Sequence, residues 1–224
     1  MEGDKFTFRA VNPRSDEDIR KYFELKQGLI DFLKARNKID EKIINWQRWH
    51  LGAPEYVFPD DYKDKPLPSM EENADEFAFV CEVDDKFVGF VTICAYHVIG
   101  GKRMKDDIGV LSDIFVEEEF RGQTQISLKL LKMAIDKLMG CGKFRAICHV
   151  QEDNPLHYIH FAMADGNVIL KDTCKRKDGK ETIDYLLMID LKKLNEEITN
   201  DKFVRKIGKY HVEMLRQQGK IISL

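Results

Sequence analysis

The sequence predicts a single α+β domain. Three observations carry that expectation: a length and composition able to bury one large core, a hydrophobic period that switches repeatedly between 2 and 3.6 residues, and tight-turn signals between extended runs. The 224 residues are 43% hydrophobic and 33% charged, the balance of a folded chain, and two independent domains would be cramped. Lys+Arg total 36 against 39 Asp+Glu, a net charge of −3, so no positive field favours a nucleic-acid partner. The opening MEGDKFTFRAV lacks the basic start and apolar run of a signal peptide, and no later apolar run approaches the ~18 residues of a membrane span. A cytoplasmic protein with no membrane partner is expected.

The elements follow from pattern. Phe6, Phe8 and Ala10 alternate with Thr7 and Arg9 as a strand that Asn12-Pro13 stops. Ser15 is a helix N-cap followed by the acidic pair Asp16-Glu17, and Ile19, Tyr22, Phe23, Leu29, Ile30 and Leu33 then recur at helical spacing. Ile39, Ile43, Ile44 and Trp46 indicate a second helix, and residues 52–75, with Pro54, Pro59, Pro66 and Pro68, read as a long loop. Strands are expected over 77–83 and 87–99, joined at Asp84-Asp85-Lys86, and over 107–116. A helix carries Leu128, Leu131, Ile135 and Leu138 on one face and stops at Gly140 and Gly142. A strand over 144–150, a helix from Asn154-Pro155 and a hairpin of 168–174 with 182–191, turning at 177–180, complete the domain. Phe203, Ile207, Tyr210 and Met214 are spaced for an amphipathic C-terminal helix. The division is therefore a domain over 1–192 and a helical extension over 193–224, which can dock on its own domain or on a second copy as a homodimer.

Among side chains with chemistry, the five cysteines are scattered and suit buried thiols better than disulfides. Cys148, in an apolar strand, reads as inert. His157 and His160 share a helix face, but no acidic or cysteine partner has matching spacing, so no metal is expected.

Two segments stand out: EEEFRGQTQIS at 117–127, between a strand and a helix, and DNPLHYIHFAMADGN at 153–167, after the next strand. Together with the element order they resemble the GNAT superfamily of N-acetyltransferases over about residues 6–191. The resemblance implies a mixed, mostly antiparallel central sheet with helices on both faces, and acetyl-CoA as acyl donor with no metal. It also implies that 121–127 correspond to an Arg-Gly-x-Gly-x-Gly/Ala loop whose amides hold a pyrophosphate at a helix N-terminus. Arg121 and Gly122 match that pattern. Thr124 stands at the second glycine, and Gln125 with Ile126 replaces the third small residue or marks a one-residue insertion before Ser127. Gln123, Thr124 and Gln125 can donate through their side chains as well.

By the same resemblance, backbone N–H groups around Ile114 and Phe115, with Val116 closing the strand, hold the thioester carbonyl. Asn154 and Phe161 stand on the cofactor side. The family's proton-donating Tyr falls on Ala162 or Phe161, which leaves Tyr158, one turn earlier on the same face, as the candidate acid. Its strand Glu falls on Ser112, which leaves Asp113 as candidate base or amine anchor. The aromatic and acidic segment 46–62, which includes Trp46, Trp49, Tyr56, Asp60, Asp61 and Tyr62, lies where the resemblance puts the amine acceptor, and by composition it can equally be a flap over the core. Two functions stay open: an N-acyltransferase acting on an amine of a small molecule or protein by direct attack in a ternary complex, and a non-catalytic GNAT-fold module that lacks acid and base.

Overall fold

The computed structural model describes residues 6–32, 76–95, 98–99, 102–103, 107–121, 123–152, 154, 156–175 and 181–217. The expected second helix, the Pro-rich stretch, the acceptor segment 46–62, Gly122 and the turn at 177–180 lie outside the described residues. The elements are β1 (Thr7–Ala10), α1 (Asp16–Phe32), β2 (Glu76–Val83), β3 (Lys86–Cys94), β4 (Val98–Ile99), β5 (Lys102–Arg103), β6 (Ile108–Val116), α2 (Thr124–Gly140), β7 (Arg145–Gln151), α3 (His157–Met163), β8 (Val168–Lys175), β9 (Glu181–Asp190), α4 (Leu191–Thr199) and α5 (Lys202–Gln217). Seven strands form one mixed sheet in the order β1-β2-β3-β6-β7-β9-β8, and β4 pairs with β5 apart from it. None of the described helices is long and apolar enough to cross a membrane.

The chain forms two compact units, Met1–Lys105 with Leu111–Leu138, and Asp106–Val110 with Met139–Leu224. In the first, β1 and β2 are antiparallel, as are β2 and β3. Their hairpin turns at Asp84 and Asp85, both at positive φ (47° and 63°), the handedness that matches strand twist in a two-residue loop. The expected 87–99 strand instead ends at Cys94, and Val98–Ile99 pair with Lys102–Arg103 as a separate ladder. Apolar content alone did not mark that break.

Both sheet faces of this unit are packed, as two adjacent residues of β3 show. Phe90 meets the Tyr22 ring of α1 edge-on, with centroids 5.6 Å apart. Its neighbour Gly89 faces the other way. A Cβ added at Gly89 would lie 3.3 Å from Leu130 Cδ1 of α2 and 3.2 Å from the Phe115 carbonyl oxygen. The buried stripe of α2 is Ile126, Leu130, Leu131, Ala134, Ile135 and Leu138. It is rotated from the expected one, because Leu128 is only half-buried and Ile126 is in the core.

The start of α1 is fastened as its sequence implies. The Asp18 amide donates to Ser15 Oγ at 3.2 Å, and the Arg9 guanidinium donates to Asp18 Oδ1 at 2.9 Å and to Glu82 Oε2 at 2.9 Å. Burial works against the Asp18 charge, but Arg9 and the Asn12 amide outweigh it and hold the carboxyl below the usual carboxylate range.

In the second unit, Ile108, Gly109 and Val110 pair in parallel with Arg145, Ala146 and Ile147, while β7/β9 and β8/β9 are antiparallel. Helix α3 begins at His157, after a turn in which the Leu156 amide donates to Asn154 Oδ1 at 2.9 Å. Asp165 and Gly166 follow at positive φ, and Gly166 lies where a Cβ would come within 3.3 Å of Tyr210 Oη.

The last strand stops at Asp190, and Leu191 starts a helix instead of ending the strand. Asp190 is the reason: its side chain accepts from the Lys193 amide at 2.9 Å as an N-cap. Replacing it by Ala is expected to cost about 1 kcal/mol, measured as a lower urea midpoint. The extension is thus a helix pair. Phe203 of α5 is buried, and Asp165 binds Lys193 and Lys206, with Lys206 Nζ 2.8 Å from both Asp165 and Glu197. In this unit α5 docks on α3 of its own chain through Tyr158, stacked on His211 with centroids 4.4 Å apart.

Candidate active site

The first unit holds the expected phosphate loop and candidate base. Strand β6 ends at Val116, a 3-10 turn occupies Glu118–Phe120, and α2 starts at Thr124. Arg121 turns back toward the strand: its Nε donates to the Val116 carbonyl at 2.9 Å and its guanidinium lies 5.6 Å from the centroid of the Phe115 ring. Several loop amides serve the loop itself. Arg121 donates to the Glu118 carbonyl at 3.1 Å, Gln123 to Phe120 at 3.2 Å and Ile126 to Gln123 at 2.9 Å. Thr124 and Gln125, with exposed side chains in the first turn of α2, have amides with no intrahelical acceptor. Ile126, fully buried, anchors the helix to the core, and Ser127 is half-buried.

Asp113 lies on β6 two residues before Phe115, and its environment includes groups that sequence reasoning missed. Tyr22 of α1 is fully buried, with its hydroxyl 3.2 Å from the equally buried Thr92 hydroxyl of β3. Lys26, one turn along α1, donates to Tyr22 Oη at 3.5 Å. Burial pushes the Asp113 carboxyl above the ordinary carboxylate range, and Lys26 pulls it part of the way back. Burial also raises Tyr22, to about 12. The spacing of Tyr22 and Lys26 at i and i+4 is legible in the sequence, but Tyr22 also fits the apolar stripe of α1, and spacing alone does not separate the two roles. Ser112, on the same strand, is exposed and lies 3.6 Å from Cys94 Sγ.

The second unit holds the other landmarks. Asn154 shapes the turn into α3, its carbonyl accepting from the His157 amide at 3.0 Å and from His157 Nδ1 at 2.7 Å. Phe161 packs edge-on against Tyr185, with centroids 5.0 Å apart. Tyr158 is half-buried against His211. Cys148 is buried and its thiol is pushed up to about 12, so it is no nucleophile near neutral pH. Among the described residues, no group of three or more His, Cys, Asp or Glu is placed to hold a metal ion.

The chain matches the Acetyltransferase (GNAT) family over residues 43–161, more than half of its length. It belongs to the GNAT family. No curated protein matches it. Among solved structures it is similar to an N-acetyltransferase from Staphylococcus aureus Mu50, with a TM-score of 0.57 and 14% identity over 84% of this chain and 99% of that one. It is also similar to yncA from Salmonella typhimurium with its cofactor acetyl-CoA, with a TM-score of 0.57 and 16% identity over 84% and 94%. An acetyltransferase of the GNAT family from Streptococcus pneumoniae gives a TM-score of 0.53 and 15% identity over 82% and 98%. These likenesses are of fold, and the mixed seven-stranded sheet flanked by helices agrees with them.

Ala162, one of the two positions expected for the helix Tyr, is fully buried and offers no proton.

Proposed function

We propose that the protein is an N-acetyltransferase that uses acetyl-CoA and transfers the acetyl group to an amine of a small molecule or protein by direct attack in a ternary complex. The observation that carries this reading is the run from Asp113 to Gln125: a half-buried carboxylate on a strand that leads, through one turn, to a helix start with two open amides. That helix start fits a diphosphate, since Thr124 and Gln125 point their N–H groups along the positive end of the α2 dipole. Ile114, Phe115 and Val116 complete the cofactor side of the first unit in this reading, and Asn154 and Phe161 are its candidates in the second.

Acetyl-CoA supplies the acetyl group activated as a thioester. An alkylammonium acceptor has a pKa near ~10.4 and must lose a proton before its nitrogen can attack. Asp113, made more basic by burial, accepts that proton. The departing thiolate takes up a proton as it leaves, the part this reading gives to Tyr158, whose ring stacks on His211 in the second unit. Ser112 lines the strand beside Asp113 without ionising. The acceptor itself is gripped by the aromatic and acidic residues of 46–62.

A thermal-shift titration tests this. Acetyl-CoA and CoA are expected to raise the melting temperature saturably, by linkage worth about 2.7 kcal/mol at a hundredfold excess over Kd. Thr124→Pro deletes one N–H at a helix position that tolerates proline. It is expected to weaken binding about tenfold, the worth of one hydrogen bond to a charged group. No shift with either nucleotide would remove the donor from the reading. A shift without acetylation of any amine panel would return the non-catalytic GNAT-fold alternative.

A further inference from the structure

The polar groups on the α1 side of the first unit are arranged in a way the family resemblance does not account for. Phe115 packs on Phe90 (6.0 Å between centroids) and Phe90 packs on Tyr22, so Asp113, two residues before Phe115, shares the sheet face that α1 covers. Glu76 is buried at the start of β2, opposite Cys94 and in step with Ala78 and Val80, which share the core cluster of Tyr22. Near the start of α1 this face carries Arg9, Asp18, Lys21 and Glu82, which pair with one another. The titratable groups toward Asp113, among the described residues, are Tyr22 and Lys26 from α1, Glu76 from β2, Cys94 from β3 and Asp113 from β6. Lys26 is the cation among them, and its position is held: it donates to Tyr22 Oη at 3.5 Å while Tyr22 itself bonds Thr92 at 3.2 Å.

We propose that Lys26 is a positioning residue for acetyl transfer, an ammonium group held by the Tyr22–Thr92 pair on the sheet face of Asp113, where it favours the carboxylate that accepts the acceptor's proton. The inference rests on the reading of Asp113 as the base. Burial works against the Lys26 charge, but the charges and hydrogen bond around it outweigh that and hold its pKa above the ordinary lysine value. With Tyr22 protonated at neutral pH, the charges Lys26 meets there are the carboxylates of Glu76 and Asp113. The attraction is reciprocal, and on Asp113 it opposes the effect of burial.

The test compares the full-length wild type with Lys26→Met and Lys26→Arg, following the Asp113 carboxyl by carbon NMR and kcat/KM by pH profile. In Lys26→Met the carboxyl titration and the acid limb of kcat/KM both move upward, with about a tenfold loss of rate on the acid side for each pH unit of displacement. The alkaline plateau is retained, and Lys26→Arg restores both limbs. A carboxyl titration that stays in place in Lys26→Met, with the fold intact by its melting temperature, overturns the inference. A carboxyl titration that moves while the rate limb stays put upholds the electrostatic role of Lys26 and removes Asp113 as the base.

Discussion

Asp113→Asn is expected to lower kcat for acetylation by about 10²- to 10⁴-fold, the range over which a positioned base contributes. The amide keeps the shape of the side chain and loses its affinity for a proton. Because burial disfavours the charged carboxyl, the folded state binds that proton more tightly than the unfolded chain does. The resulting contribution to stability is present at low pH and is lost as pH rises through the folded-state value. At neutral pH the Asn variant, which has no charge to bury, is therefore expected to melt no lower than wild type. Loss of rate without loss of stability separates a proton-transfer role from a structural one. Acetyl-CoA binding, read by thermal shift, should survive the change, since the amides of Thr124 and Gln125 lie on the far side of a turn from β6. An Asn variant with wild-type turnover would assign the proton to water or to another group.

Much of the fold was legible because local chemistry and tertiary structure agree. Ser15 caps α1 as its type suggests, the Asp84-Asp85 turn closes the hairpin, and Gly142 takes the positive φ (75°) that ends the turn after α2. The errors have physical causes. Residues 95–99 read as a continuation of the strand, but pairing with β2 stops at Cys94 and Val98–Ile99 pair with Lys102–Arg103 instead. Leu191 looked like a last strand residue until the Asp190 side chain turned the backbone into a helix.

The candidate site is read in a different way. Arg121, Asp113 and Tyr158 are candidates by where they fall in the chain, which says nothing of what each side chain does when folded. Arg121 spends its Nε on the Val116 carbonyl, and Tyr158 lies against a helix from the C-terminal extension. The first spans the irregular turn between β6 and α2 and the second joins distant segments, so no helix or strand spacing foretells either. The Lys26 neighbourhood of Asp113 needed α1 and β6 to lie on one sheet face, which alternation along a strand predicts only once the strand order is known. Replacing glycine by Thr124 changes a surface, while the amide beneath it remains at the start of α2.

Tyr22→Ala is expected to have the largest effect on stability. The ring is fully buried, set against Phe90 at 5.6 Å and Phe23 at 5.8 Å, and its hydroxyl partners Thr92. Truncating a buried aromatic to Ala costs about 3–5 kcal/mol in lost burial and residual cavity. The Thr92 hydroxyl, buried and deprived of its partner, adds about 1–3 kcal/mol. Domains of this kind hold only about 5–15 kcal/mol of net stability, so the variant should unfold at much lower urea or fail to accumulate folded. Tyr22→Phe separates the two contributions: it keeps the ring and removes only the hydroxyl, and should cost only the smaller of the two. A Tyr22→Phe variant as unstable as Tyr22→Ala would mean that the hydroxyl, not the ring, secures α1 to the sheet. In that case the Lys26–Tyr22–Thr92 chain is structural before it is electrostatic, and the Lys26→Arg rescue becomes the measurement that distinguishes the two roles.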